Sequence, residues 1–581
     1  MREAPAARLD AQGASPAARL LRVSVVFVLL LAAYVLTFSN DSGDALDTAR
    51  WMREGRIERM VEFRHLIVRL LPYWLWQGLG AAGLPVEPLN LLRWWDFFTA
   101  ALSPMLFYHV LYRLLHGHPA RRGTALAGSA LYATAHCVWI YAGSGRLYSS
   151  SMLLVLAAYL LALRLPEVQG ASRRWWTVLS AGALVCFAGL FWLVQVFNAV
   201  GVGLLIALLP ERASRARRAA HLTGFALSGL LLAGAMGVSC LRYAQVPLEG
   251  AAVQAWIADT RTPPTRFDSS SFMKAAYGQA HGILGLPNLS YMINGLLRDD
   301  RHLLAIGSLP WQLGKFIFIW LLLLLAYAYP FFLFWNADRR LRVLILALAA
   351  PLAINIYFAL IWLGTDRQRF MPSLLSVIAL GTLSTGDLLK RFPRPRWVAL
   401  ALGAAVLLVA LVNYFEVLRP TQARFRRLAA EWASAHSFLT PGDLLVTFGR
   451  DVNYHALMLA YGTAPYLTLT NDETYYQWDQ PDWQVRFHAA VREAWQRGGR
   501  VFVMDRIAFG VNPVSAAWSE KQHPRPTVRE FAAFLRSAYC VTLGFRVGQF
   551  EYFELNWRAQ PCPPRALSAR LEAEPPSEAP R

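Results

Sequence analysis

Charge is scarce in this sequence. Of its 581 residues only 16% are Asp, Glu, Lys or Arg, against 56% hydrophobic, where a soluble domain carries about a quarter charged residues. A chain this long and this poor in charge is not one ordinary soluble core; it needs long segments whose solvent is lipid. Cysteine is scarce too. Cys137, Cys186, Cys240, Cys540 and Cys562 include no Cys-x-x-Cys pair, which removes zinc and dithiol redox motifs. Acidic residues are outnumbered, 37 against 57 basic ones, for a net charge of +20. That excess could suggest nucleic acid, but the arginines gather in short loops between apolar runs, where topology signals sit. No internal repeat is visible.

The apolar runs come next. A spanning helix needs about twenty mostly apolar residues. Eleven spans are predicted near 20–38, 90–112, 123–142, 147–163, 175–193, 195–210, 221–240, 311–332, 343–362, 371–388 and 397–414. Arg19 and Arg22 precede the first run without a small-x-small cleavage site, so a retained helix is expected rather than a signal peptide. The fifth and sixth spans form one stretch interrupted by Gln195 and Asn198, read as two short helices with a tight turn. With a cytoplasmic N-terminus, every alternate loop is basic. These loops carry Arg113, Arg121 and Arg122; Arg164, Arg173 and Arg174; Arg212, Arg215, Arg217 and Arg218; Arg339, Arg340 and Arg342; and Lys390, Arg391, Arg394 and Arg396. This is the positive-inside pattern. Three long segments then fall on the other side: 39–89, 241–310 and the tail from 416. Long loops carry function or fold as domains.

The tail reads as a small α/β domain. Asp443 to Phe448 follows the Pro441-Gly442 turn signal and, like Arg500 to Met504, suits a short buried strand. Trp483 to Gln496 and Val528 to Ser537 have helical spacing, and Cys540 to Phe545 and Phe550 to Leu555 suit closing strands. Cys540 and Cys562 permit a disulfide if the domain faces an oxidising compartment; the other three cysteines suit packing. The chain divides into a cytoplasmic tail (1–19), a transmembrane domain (20–414, with outer loops 39–89 and 241–310), a soluble extracytoplasmic α/β domain (415–562) and a disordered tail (563–581).

Chemistry is expected on the outer side. Asp41, Asp44 and Asp47 follow the first helix at i, i+3 and i+6, so in a helix they lie near one face. A carboxylate held there could act as general base, Asp41 and Asp44 could hold a divalent cation, or all three could cap and solvate a surface helix. His65 to Leu84, with Arg64, His65 and Arg69 on its polar side, suits a helix lying in the membrane interface. Arg367 and Arg369 stand on the outer side against the charge trend. Their partner is either a phosphate, which a guanidinium grips in a fork, or a first-loop aspartate. Arg146 and Tyr148 form a further outer turn. Asp268, Lys274 and His281 lie in the second loop, where a lone histidine is more often structural than an acid–base group. Asn40 and Asn288 match the glycosylation sequon by chance.

These residues resemble the GT-C superfamily of membrane glycosyltransferases, the protein O-mannosyltransferases and aminoarabinose transferases among them. Its first outer loop carries Asp-Glu-x-x-Tyr-x-x-x-Ala-x-x-Met. Here Asp41 falls on the family's catalytic aspartate and Ala49 and Met52 match, while Ser42 and Ala45 replace the second acid and the aromatic. That leaves the role open between Asp41 and Asp44. Arg369-Phe370-Met371-Pro372 is similar to the family's Arg-Tyr-x-x-Pro-like motif. The resemblance implies a GT-C-like helical membrane domain in the inner membrane, with a periplasmic C-terminal domain. It implies an inverting transfer of a sugar from a polyprenyl-phosphate donor to a lipid, glycan or protein acceptor. Asp41 or Asp44 would be the base. Arg369, with Arg367, Arg146, His65 and Arg64, would bind the substrate. No cofactor is required, and a divalent cation at Asp41 and Asp44 stays possible. Two rival readings remain. One is a transporter or flippase, which would show repeated halves and broken mid-membrane helices. The other is a non-catalytic scaffold, for which Asp41 and Asp44 would be dispensable.

Overall fold

The computed structural model describes residues 16–38, 43–118, 120–210, 214–260, 271–286, 309–361, 370–391, 395–423, 426–427, 430, 439–440, 442–447, 466–468, 482–510, 527–547 and 550–557. The chain forms two compact units, Met1–Ser39 with Asp47–Thr421, and Asn40–Leu46 with Gln422–Arg581.

The first unit is helical. Its elements are α1 (Pro16–Leu36), α2 (Gly43–Glu54), α3 (Leu70–Ala81), α4 (Pro88–Leu114), α5 (Arg121–Thr134), α6 (His136–Tyr141), α7 (Tyr148–Arg164), α8 (Ala171–Phe191), α9 (Asn198–Leu208), α10 (Arg215–Tyr243), α11 (Gly250–Thr260), α12 (Ser271–Ile283), α13 (Leu309–Asn336), α14 (Arg339–Ile361), α15 (Met371–Arg391) and α16 (Pro395–Val412). The predicted spans fall on helix within the described residues, but the number of crossings is not fixed at eleven. Seven of the described helices are long and apolar enough to cross a membrane, and two shorter apolar helices cover Leu20–Leu36 and Leu193–Leu208. The protein is a multi-pass membrane protein. Its core runs through Phe107, Tyr132, Met152, Val178, Leu344 and Leu375, all nearly or fully buried.

The predicted basic loops meet at one end of the bundle. Arg113 donates to Glu167 at 2.8 Å, Arg339 donates to the Leu208 carbonyl at 2.9 Å, and His116 lies in the field of Arg340, Arg121 and Arg113. At the opposite end three helices are interrupted. The predicted span 123–142 breaks at Ala135, which is extended (φ −60°, ψ 137°). The apolar stretch around Gln195 breaks at Trp192 (φ −152°, ψ 108°), followed by a 3-10 turn at Leu193–Phe197. The last membrane helix widens into a π turn at Asn413–Leu418. Broken helices are therefore present, at the bundle's end rather than its middle; the sequence shows the one near Gln195 but not those at Ala135 and Asn413.

Lipid offers nothing to the backbone groups that a break frees, so the protein must pair them itself. Asn413 does this for the Ala135 break. Its Nδ2 donates to the Thr134 and Ile283 carbonyls at 2.8 and 2.9 Å, and its Oδ1 accepts from the Gly285 amide at 2.7 Å.

In the second unit the described strands are β1 (Leu444–Thr447), β2 (Tyr466–Thr468), β3 (Val501–Met504), β4 (Tyr539–Val547) and β5 (Phe550–Trp557), in the order β2-β1-β3-β5-β4. β1 pairs parallel with β2 and β3, while β5 is antiparallel to both β3 and β4. The helices are α17 (Trp483–Gln496), α18 (Asp505–Ala508) and α19 (Val528–Ala538). Thr527 and Glu530 form a reciprocal capping box at the start of α19, which fixes where it begins. Asp443 is fully buried yet satisfied. It accepts from the Thr440 amide at 2.8 Å and from Arg500, whose amide lies at 2.6 Å and guanidinium at 2.9 Å. Burial alone would raise its pKa; the Arg500 and Thr440 bonds outweigh that and hold it below the usual carboxylate range. Cys540 is disulfide-bonded and Cys137, Cys186 and Cys240 are free. Cys562 and the 563–581 tail lie outside the described residues.

Candidate active site at the end opposite the basic loops

Helix α8 starts in the basic end and stops at Phe191. Its last carbonyls have no partner within the helix. The first outer loop supplies them. The Ile67 amide donates to the Leu190 carbonyl at 3.2 Å and the Leu193 amide donates to the Arg64 carbonyl at 3.1 Å. His65 Nδ1 lies 3.1 Å from the Phe191 carbonyl. A carbonyl can only accept, so Nδ1 carries the proton, and a neutral ring then leaves Nε2 as an acceptor. This docking explains why the predicted helix from His65 begins only at Leu70: residues 62–69 are spent as a cap, with a bridge between Glu62 and His65.

The loop carries its own charge network. Glu62 accepts from Arg69 at 2.6 Å and lies 3.8 Å from Arg64. The Arg69 guanidinium also covers the Trp51 ring at 5.0 Å. Burial pushes the Glu62 carboxyl up, but Arg69, His65 and Arg64 together overcome it and hold it below its ordinary value. Burial pushes His65 the other way, from its ordinary 6.5 to about 4, against the pull of Glu62 and with help from Arg69. The ring is therefore neutral at neutral pH.

The second wall is the turn between α6 and α7. Gly143, Gly145 and Leu147 all take left-handed backbone (φ 79°, 74° and 61°). The fully buried Asp96 of α4 holds this turn from beneath, its Oδ2 accepting from the Gly145 amide at 3.1 Å. A Cβ on Gly143 would lie 2.0 Å from the Phe97 ring, so glycine is required there twice over. A leucine in left-handed backbone costs about 1–3 kcal/mol, and such strain persists only where its surroundings over-determine it. Here it lies between Arg146 and Tyr148.

The two walls meet at Tyr148. Its ring stacks on Trp192 at 4.4 Å, takes Tyr141 edge-on at 5.5 Å and has His65 at 6.1 Å. Arg146 sits 5.5 Å from the Tyr141 ring and 6.0 Å from that of Tyr148, within cation–π range. Neutral His65 and the cation Arg146, distant in sequence, thus meet at one aromatic platform.

Of the other expected site residues, Asp44 is the second residue of α2, three before Asp47, but its side chain is not among those described. Asp41, Arg367 and Arg369 lie outside the described residues, as do Asp268, Asn40 and Asn288. The cation site considered at Asp41 and Asp44 lies there too. The chain re-enters the described part just after Arg369: Phe370 is buried against Ala275 and Ala359, and Ser373 donates to Gln279 at 3.1 Å. His281 is structural. Its Nδ1 accepts from the Leu286 amide at 3.0 Å, its carbonyl meets His136 at 2.8 Å and its ring stacks on Tyr277. Sequence reasoning passed over Glu62, Trp192 and the positioning role of Asp96. A signal existed for Glu62, the one carboxylate among Arg59, Arg64 and Arg69. None existed for the other two.

No protein-family model matches the sequence, and no curated protein matches it. Solved structures do. ArnT from Cupriavidus metallidurans bound to undecaprenyl phosphate aligns over 93% of this chain and 98% of its own, at 14% identity and a TM-score of 0.53. The apo state of the same protein aligns over the same shares at 12% identity, again with a TM-score of 0.53. The archaeal oligosaccharyltransferase AglB from Archaeoglobus fulgidus, in complex with an inhibitory peptide and a dolichol-phosphate, covers 92% of this chain and 74% of its own at 12% identity and a TM-score of 0.47. With interrupted helices closing one end of a multi-pass bundle and a small sheet domain after the last membrane helix, this chain has the fold of ArnT.

Proposed function

We propose that the chain is an inverting membrane glycosyltransferase that moves a sugar from a polyprenyl-phosphate donor to an acceptor on the extracytoplasmic side. The observation that carries this reading is the fold shared with ArnT across nearly the whole length of both chains, joined to a cationic, aromatic site at the end away from the basic loops. A polyprenyl phosphate keeps its tail in lipid and its sugar at the surface. Its enzyme therefore needs cations and a base close to the membrane plane.

In this reading Asp41, or Asp44 in its stead, deprotonates or orients the acceptor, which attacks the anomeric carbon as the phosphate leaves from the opposite face. Arg369, Arg367 and Arg146 stabilise the charge that develops on the leaving phosphate. Neutral His65 offers Nε2 to a sugar or acceptor hydroxyl, and the Tyr148–Trp192 stack gives a flat apolar face for a sugar ring. No nucleotide-sugar site is needed, because the donor is already lipid-linked. A divalent cation is not required; if one takes part, Asp41 and Asp44 are its ligands. The acceptor is a lipid, glycan or protein. The protein sits in the inner membrane with its domain 415–562 in the periplasm.

Mass spectrometry of glycans and lipids from a deletion strain identifies the missing modification and so the donor to assay. With that donor and purified protein in bilayer nanodiscs, Asp41→Asn lowers transfer by about 10²–10⁴-fold while insertion is unchanged. Full activity of the Asp41→Asn, Asp44→Asn double variant would remove the catalytic reading and favour a scaffold. Sidedness is tested separately by labelling Val485→Cys, an exposed position, with an impermeant reagent in intact cells.

A further inference from the structure

A second feature lies at the basic end, far along α8 and α10 from the site above. The two helices run side by side from that end, and an apolar groove of about 840 Å³ opens between them. Trp175, Trp176, Ala183, Thr223, Leu227 and Leu231 line it. The groove faces outward: Trp176 and Leu231 are 67% and 71% exposed, in helices long and apolar enough to span. Gly224 makes room for it, since a Cβ there would lie 2.5 Å from the Trp175 ring. Small residues at a membrane helix contact allow such close approach.

The mouth of the groove is cationic, and Arg174 also donates through Nε to the Val168 carbonyl at 2.7 Å. Arg174 and Arg217 both act on His221, which packs edge-on against Trp175 at 5.4 Å. Among the described residues, Arg173, Arg215 and Arg217 have no carboxylate partner. Elsewhere at this end Arg113 has Glu167 and Arg391 has Asp387. Both helices also begin here, so their positive dipole ends add to the same spot. A phosphodiester carrying net negative charge fits the mouth, and an acyl chain fits the groove beneath it.

We infer that the α8–α10 groove is a binding site for one anionic phospholipid of the bilayer, with its acyl chain against Trp176, Leu227 and Leu231 and its headgroup phosphate held by Arg174 and Arg217. The occupant is a structural lipid, and this assignment stands whether or not the chain transfers sugars. Its position in the groove between these two helices gives it a role in fixing their packing.

Native mass spectrometry of the delipidated full-length protein tests this, with phosphatidylglycerol and phosphatidylcholine of identical chains as probes. One phosphatidylglycerol is retained at least tenfold better than phosphatidylcholine. The Arg174→Gln, Arg217→Gln double variant loses the preference, and Ser180→Phe, which fills the groove from its exposed wall, lowers retention of both lipids. Arg339→Gln, another basic-end residue, leaves the preference intact. Equal retention of the two lipids by the unaltered protein overturns the assignment. So does a preference that survives the double variant, or one that Arg339→Gln removes equally, since binding would then follow net charge rather than this groove.

Discussion

The two ends of the helical bundle both carry arginines, and they carry them for different reasons. At the basic end several guanidinium groups each have a single carboxylate or carbonyl as partner, as with Arg113 and Glu167, Arg391 and Asp387, and Arg339 and the Leu208 carbonyl. At the opposite end Arg69 is only 10% exposed between Glu62 and Trp51, and Arg146 rises from a left-handed turn onto two tyrosine rings. Charges that set topology need only the right side and number. Charges that work on a substrate need a fixed place, and a fixed place needs buried support.

The comparison can be broken most sharply by activity. Arg146→Ala lowers sugar transfer by about 10²-fold, the usual cost of losing one group that stabilises developing charge, whereas Arg339→Ala stays within about twofold in the same assay. Equal losses at the two positions would mean that Arg146 is another topology signal.

Glycines give the next largest effect, read as thermal unfolding in detergent. Gly143→Ala meets both left-handed strain, about 1–3 kcal/mol, and a clash with Phe97, about 1–3 kcal/mol more. Gly170, at the basic end, also takes a positive φ (84°) with open space around it, so Gly170→Ala carries backbone strain without a clash. A smaller loss at Gly143 than at Gly170 would show that the turn over Asp96 is not held rigid.

The smallest effect is in pH. His65 is held below its ordinary 6.5, at about 4, so between those values the unfolded loop binds a proton that the folded one refuses, and stability falls as pH drops from 6.5 towards 4. Glu62 is also held below its ordinary value. Its contribution is complete above the ordinary carboxylate range and is lost as pH falls through the lowered one. Hydrogen exchange in residues 62–69, corrected for intrinsic rates, should therefore lose protection on acidification from pH 7 to 5, and His65→Gln should flatten the slope. Protection independent of pH in the unaltered protein would show that the loop does not cap α8 through a neutral imidazole.

Much of this could be read in advance. The apolar runs, the basic loops, the interruption near Gln195, the tail's strands at 444–447, 501–504 and 550–557 and the place of Arg64, His65 and Arg146 away from the basic loops all follow from local pattern. The helix start at Leu70 could not, because residues 62–69 answer to α8 rather than to their own periodicity. Nor could the break at Ala135, whose freed carbonyl is paired by Asn413, 279 positions along the chain. Nor could the role of Asp96, whose partner Gly145 belongs to another turn altogether.

Hydrophobic length and loop charge are properties of short stretches, and through them the sequence by itself determined which segments belong in lipid and which end of the bundle is basic. Only the tertiary structure decided which loop closes which helix, and so which cations share a site. A backbone group stranded in an apolar medium takes whatever partner the fold brings to it, and His65 finds the Phe191 carbonyl 126 residues away.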